Sequence, residues 1–177
     1  MAFDDSSTAE KKVKLYAIIR LRGRVDVAPD VDYTLKLLRL HRRMHLVLYP
    51  STLPGIEGML HKVKDWVTWG EINRETLLEL LKKRGRIPGN KPITEEYLKK
   101  ALEISSFEEL ADKLLSGEII LTKLYDKKAK KWLIKPVFRL SPPKGGFEGS
   151  TKKPYGTGEG ELGYRGDAIN DLIKRMI

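Results

Sequence analysis

Residues Lys14–Arg24, KLYAIIRLRGR, alternate in character with a period of two, and this places a β-strand near the start of the chain. Leu15, Ala17, Ile19 and Leu21 fall on one side, the set a core would use. Lys14, Tyr16, Ile18, Arg20 and Arg22 fall on the other, with Arg24 just past Gly23. The second set is expected to put guanidinium groups in a row at one end of a sheet. Gly23 interrupts the alternation, so the row reads as two strand arginines followed by a turn arginine. A planar guanidinium fork donates two hydrogen bonds to phosphate oxygens, which makes Arg20, Arg22 and Arg24 candidate contacts to a polyphosphate backbone.

The segments that follow complete a compact unit. Asp30 reads as the N-cap of a helix through about Arg42, with Val31, Leu35 and Leu38 on one face and Leu37 and Leu40 widening it. A strand is expected over 44–49. Thr52 and Pro54 open a second helix carrying Ile56, Met59, Leu60 and Val63, and a third strand spans 67–72. Strand–helix–strand–helix–strand predicts an α+β unit with helices packed on a small sheet.

Beyond it, Asn73 is expected to cap a leucine-rich helix ending at Gly85. Thr94 starts another helix, and Ser105 with Glu108 or Ser106 with Glu109 forms a capping-box pattern for one ending near Gly117. Residues 118–140 read as a hairpin or two extended segments around the basic turn 127–131, KKAKK. Residues 141–166, rich in Gly, Pro and Lys, are expected to be extended, and the Lys144–Lys153 arm within them, with few apolar anchors, is expected to acquire order on a partner. A terminal helix carries Ile169, Leu172, Ile173 and Met176. The division expected is a tail over 1–12, a core over 13–72 and an extension over 73–177, with RIPGNKPI at 86–93 as a boundary or an internal loop.

Of the 177 residues, 34 are Lys or Arg against 24 Asp or Glu, a formal net charge of +10, which points to an anionic partner, nucleic acid before membrane. An apolar fraction of 41% supports a real core. With no cysteine, disulfides, thiol catalysis and cysteine-ligated zinc are excluded. No apolar run reaches membrane-spanning length. Gly158, Gly160 and Gly163 match GxGxxG, but the spacing lacks the flanking strand, helix and ribose-binding acid of a dinucleotide site. His41, His45 and His61 have no HExxH or compact carboxylate pattern around them, and no GxSxG elbow occurs. Trp66, Trp69 and Trp132 sit beside cations, where stacking on bases competes with core packing, and packing is favoured for Trp66 or Trp69.

The basic clusters read more sharply. RLRGR at 20–24 and RLHRR at 39–43 belong to the same strand–helix–strand unit, with Arg39 and Arg43 four apart and close to one helical face. Together they favour a phosphate-binding patch. The Lys144–Lys153 segment adds a basic arm.

The chain resembles the family of large-ribosomal-subunit protein thirty (seven in eukaryotic naming), in its archaeal form. The resemblance is carried by Gly23–Arg24 after the first strand, by TLKLLRLHR at 34–42 and by Pro54, Gly58, Met59, Lys62 and Val63. It is also carried by FRLSPPKGGF at 138–147 and GELGYRGDAINDLIKRM at 160–176. It implies a ferredoxin-like three-stranded antiparallel sheet with helices on one face, plus a helical and extended C-terminal extension. It further implies a structural, non-enzymatic role in the cytoplasmic ribosome, bound to large-subunit ribosomal RNA, with neighbouring ribosomal proteins as possible partners and no membrane, cofactor, metal or small-molecule substrate. By position Arg24, Arg42 and Lys62 match basic residues of the family, whereas Glu57 stands where a basic residue is common. The candidate RNA contacts are Arg20, Arg22, Arg24, Arg39, His41, Arg42, Arg43, Lys62, Lys144, Lys152, Lys153 and Arg165. The alternatives are an assembly factor or RNA chaperone that leaves the mature subunit, and an RNA-processing enzyme.

Overall fold

The computed structural model describes residues 13–156 and 159–177; the tail read from 1–12, and Gly158 of the glycine motif, lie outside them. The central unit comprises strand β1 (Leu15–Arg20), helix α1 (Pro29–Leu37), strand β2 (His45–Pro50), helix α2 (Ile56–Lys62) and strand β3 (Val67–Glu71). β1 lies between β2 and β3, antiparallel to both, with Ala17 opposite Leu48 on one side and Gly70 on the other. Helices α1 and α2 cover one face, where Leu35, Leu38, Ile56, Leu60 and Val63 pack on Tyr16, Ile18, Val47 and Tyr49.

The α+β class and the three-stranded antiparallel centre are as expected, but β1 is buried on both faces. Tyr16 and Ile18 belong to the core under α1 and α2, and Leu15, Ala17, Ile19 and Leu21 to a second core on the opposite face. The extension supplies that second layer. It adds helices α3 (Arg74–Arg84), α4 (Glu95–Leu102), α5 (Phe107–Ser116) and α6 (Ala168–Met176), joined to β1–β3 through Leu77, Leu80, Leu110, Leu114, Ile169 and Ile173. Two hairpins, β4–β5 (Arg86–Ile87 with Lys91–Pro92) and β6–β7 (Tyr125–Asp126 with Lys131–Trp132), interrupt it. Strands β8 (Val137–Arg139), β9 (Ser150–Pro154) and β10 (Gly160–Tyr164) then enlarge the sheet to six strands in the order β8-β2-β1-β3-β10-β9, with β10 parallel to β3 and to β9.

The helix ends follow local chemistry. Asn73 accepts from the Thr76 amide at 2.8 Å, Thr94 from Tyr97 and Ser106 from Glu109. Of the two capping-box registers, the one on Ser106 and Glu109 forms; the Glu109 carboxylate reaches back to the amide and hydroxyl of Ser105. α1 departs from expectation. Its N-cap is Ala28, with Pro29 at the first position, so Asp30 lies inside the helix rather than capping it. Its C-terminus comes at Leu37, five residues early, because Arg39 turns left-handed at φ 64°. The Leu40 amide then bonds the Leu35 carbonyl and the Arg39 amide the Lys36 carbonyl, a Schellman closure without glycine. Leu40 is drawn into the core beside Leu35, whereas Leu37 is 52% exposed.

The described residues of the 141–166 segment are extended and find anchors within the protein itself. Phe147 packs against the core, Arg175 donates to the Lys144 and Gly146 carbonyls, and β9 pairs with β10. Gly160 and Gly163 serve β10. A Cβ at Gly160 would sit 1.8 Å from the Pro154 carbonyl oxygen, and Gly163 has φ 91°.

Candidate nucleic-acid interface

The antiparallel order brings the C-terminal end of β1 beside the N-terminal ends of β2 and β3, so the loops 21–24 and 39–44 meet at one end of the sheet. Arginines stitch them together. Arg20 donates from Nη1 to the Leu40 carbonyl at 2.7 Å, from Nε to Arg22 at 2.8 Å and from Nη2 to Gly23 at 2.9 Å. Arg24 Nε donates across to the His41 carbonyl at 2.9 Å, and Arg43 Nε returns to the Leu21 carbonyl at 3.1 Å. The Met44 amide closes the set on the Arg20 carbonyl at 2.8 Å. Arg24 and Arg43 each use Nε inside this framework, which leaves their terminal Nη groups on exposed side chains for a bidentate anion.

Arg20 therefore parts company with its neighbours. It is 1% exposed, and burial lowers its pKa, against the opposing pull of Asp32. The alternation that groups it with Arg22 holds, but the face it shares with Tyr16 and Ile18 is the one covered by α1 and α2, not solvent. Arg22 stands half-buried with its guanidinium carbon 4.2 Å from the centre of the Trp66 ring and Nη1 on the Asp65 carbonyl. Arg39, His41, Arg42 and Arg43 lie on the turn after α1 rather than on one helical face, because the helix has already ended. Arg39 lies 4.5 Å over Trp132, whose ring also meets that of Tyr125 edge-on. His41 is pushed down in pKa by burial and then by Arg24 and Arg39. His45, at the start of β2, is held down to about 4 by burial and then by Arg139, His41 and Arg42. In both, the neighbouring cations add to the effect of burial.

A sequence model of ribosomal protein L30p/L7e matches residues 16–67, the stretch that holds both loops. The chain is 74% identical over 169 residues to the large ribosomal subunit protein uL30 of Hyperthermus butylicus, covering 95% of this chain and 93% of that protein. It is 61% identical to that of Staphylothermus marinus (92% and 98% covered) and 52% identical to that of Nanoarchaeum equitans (92% and 99%). The chain belongs to the uL30 family. Its match to these relatives runs through the extension, whereas the family model stops at Val67.

The other candidate residues of this uL30 chain are dispersed. Lys62 ends α2, three residues before the carbonyl that Arg22 reaches; it is exposed, 3.7 Å from Asp30. Glu57, at the family's commonly basic position, accepts from the Tyr16 hydroxyl at 2.9 Å. Lys144 is exposed beside the end of α6, and Lys152 and Lys153 are exposed on β9, the edge of the sheet opposite β8. Arg165 is 9% exposed, paired with Glu161 at 2.5 Å, bonded to Thr68 and stacked 4.7 Å from the Tyr155 ring. Like Arg20, it is committed to the interior.

Sequence reasoning passed over Arg139 and Lys135, which reach this end of the sheet because β8 pairs with β2, His45 opposite Arg139. Together with Arg39, His41, His45 and Trp132 they line a recess of about 250 Å³. The signal was the alternation of Phe138, Arg139 and Leu140 at the start of the FRLSPPKGGF stretch. Among the described residues no group of three or more His, Asp or Glu side chains is placed to hold a metal, and no helix is long and apolar enough to cross a membrane.

Proposed function

We propose that this protein is a structural constituent of the large ribosomal subunit in the cytoplasm that binds and rigidifies large-subunit ribosomal RNA. Residues 13–72 act as the RNA-binding core, 73–177 as an extension that braces it, and neighbouring ribosomal proteins are further partners. The single observation that carries the proposal is the pair of loops stitched by Arg20, Arg24 and Arg43, which presents Arg22, Arg24, Arg42 and Arg43 from a fixed backbone. None of these four takes part in an ion pair among the described residues. Fixed cations without carboxylate partners neutralise phosphates, release counterions and hold RNA segments in register.

The test is affinity for deproteinised large-subunit RNA as a function of salt. Replacing Arg22, Arg24 and Arg43 together by glutamine lowers the slope of log K against log salt by about 2.7, at about 0.9 per phosphate contact. An unchanged slope overturns the proposal. Residence, as opposed to a transient assembly role, predicts near-stoichiometric co-sedimentation with large subunits through a high-salt wash.

A further inference from the structure

The extension builds a second all-basic recess. The last residue of α3, Arg84, the first of β4, Arg86, and Lys135 and Arg139 around β8 line a cleft of about 200 Å³, together with Asn90 on the β4–β5 turn and Val137. The backbone fixes its shape: the Lys135 amide bonds the Arg86 carbonyl at 2.9 Å, and β8 pairs with β2. Two of its cations are pre-set. Arg84 donates to the Arg139 carbonyl at 3.2 Å and to Ser141 Oγ at 2.7 Å; Arg86 donates to the Gly85 carbonyl at 2.9 Å and to Lys83 at 3.3 Å. The side chains of Lys135 and Arg139 have no hydrogen bond or ion pair among the described residues.

No carboxylate lines the cleft. The ion pairs among the described residues lie elsewhere, on Lys14, Lys36, Lys62, Arg74, Lys83, Lys113, Lys153, Arg165, Lys174 and Arg175. Cations on an edge strand discourage edge-to-edge pairing, which accounts for Lys135 and Arg139. It does not account for two further guanidinium groups, locked by carbonyls, facing the same space. Four like charges converge there at a cost in repulsion that an anion removes. Lys135, Val137 and Arg139 also line the recess that holds Arg39, His41 and Trp132, so the cleft continues the patch at the end of the sheet.

We infer that this cleft is a second phosphodiester site, which seats the backbone of an RNA strand continuing from the 39–43 loop. The inference rests on the RNA-binding role proposed above, and the test separates the two. Full-length protein carrying Lys135→Gln and Arg139→Gln is compared with wild type and with Arg22→Gln/Arg24→Gln for binding to deproteinised large-subunit RNA. The two cleft side chains make no bonds in the fold, so the variant unfolds at the wild-type denaturant midpoint. Loss of two phosphate contacts lowers the salt slope by about 1.8, so that the affinity deficit is about tenfold larger at 50 mM than at 200 mM salt. A lowered slope in both variants supports the inference. A slope lowered only by the loop variant overturns the cleft and leaves the RNA-binding role standing, and a slope lowered by neither overturns both. A parallel titration with inorganic phosphate, followed by NMR of the arginine Nε–H resonances, covers the other source of the same chemistry. Saturation by phosphate in the wild type, with an RNA slope indifferent to Lys135 and Arg139, makes the cleft a small-anion site and overturns the inference.

Discussion

Replacing Arg20 separates its framework role from phosphate contact. Its guanidinium, 1% exposed, holds three carbonyls at 2.7–2.9 Å, one from each of Leu40, Arg22 and Gly23. Arg20→Met keeps much of the volume and removes all three bonds. The Leu40 carbonyl is then buried without its donor, at about 1–3 kcal/mol, and the other two, nearer solvent, cost about 0.5–1.5 kcal/mol each. Relief of the desolvated cation returns part of this, leaving a net loss of about 2–4 kcal/mol. Arg20→Lys falls between, because an ammonium on a flexible stem cannot span three carbonyls held by a planar fork. Guanidinium chloride unfolding followed by tryptophan fluorescence reads the effect, since the Trp66 carbonyl accepts from the adjacent Leu21 amide. Once folded, Arg20→Met binds RNA with an undiminished salt slope, because a buried guanidinium releases no counterion. The reasoning is refuted if the variant unfolds within about 0.5 kcal/mol of wild type, the range of an ordinary surface change. It is refuted equally by a salt slope that falls by about one.

Three other perturbations follow from the packing and the charge. His45, half-buried and held neutral down to about 4, has a depressed folded-state pKa, so between about 6.5 and 4 the unfolded chain takes up a proton that the folded chain refuses. Stability is thus complete above pH 6.5 and falls by about 2 kcal/mol toward pH 4, allowing for partial exposure, and His45→Gln flattens that part of the pH–stability curve measured in urea. Gly70→Ala would put a Cβ 2.0 Å from the Gly166 carbonyl oxygen and 2.9 Å from Ile169, so α6 must lift off β3; the expected loss is about 3 kcal/mol or more, read by denaturant unfolding and by hydrogen exchange in 168–176. A 13–72 fragment exposes Leu15, Ala17, Ile19, Leu46 and Leu48 together and is expected to lack cooperative unfolding by circular dichroism.

How far the fold was legible depended on where the information lay. Period-two alternation located β1, the caps Asn73 and Thr94 located α3 and α4 to the residue, and the Ser105 and Ser106 registers located α5 to within one, because an N-cap side chain acts on an amide only two or three positions away. Alternation could not say that both faces of β1 are covered. Ile18 and Tyr16 looked like the solvent side because Arg20 and Arg22 share their parity, yet the helices on each face are set by contacts 20 to 160 residues away. The end of α1 was hidden for a related reason. Leucine spacing continues through Leu38 and Leu40, and the closing residue is Arg39 in the left-handed region rather than a glycine that would have announced it. Of the candidate contacts, Arg22, Arg24 and the 39–43 group converge, whereas Arg20 and Arg165 spend their guanidinium groups on carbonyls, a hydroxyl and a carboxylate inside the protein. Residue type and charge are the same in both sets. Only tertiary placement distinguishes an arginine that organises a loop from one that the loop presents.

That distinction bears on how a protein with a net charge of +10 confines its attraction for polyanions to one region. Ion pairs engage cations on α1, α3, α5, α6 and β9, whereas Arg22, Arg24, Arg42, Arg43, Lys135 and Arg139, at the end of the sheet where β1, β2 and β8 meet, take part in none among the described residues. There Arg20, Arg22, Arg24 and Arg43 are held by backbone carbonyls, which orient a guanidinium without cancelling its charge, while a carboxylate would do both. Side chains fixed in this way lose less entropy on binding than free ones, which reduces the ordering cost that otherwise erodes interface energy, by about 0.5–1.5 kcal/mol for each long side chain. The left-handed Arg39 fits the same economy. Glycine would close α1 with less strain, by about 1 kcal/mol. Arginine at that position gives up that stability, covers Trp132 and places a fixed positive charge at the rim of the recess beside β8.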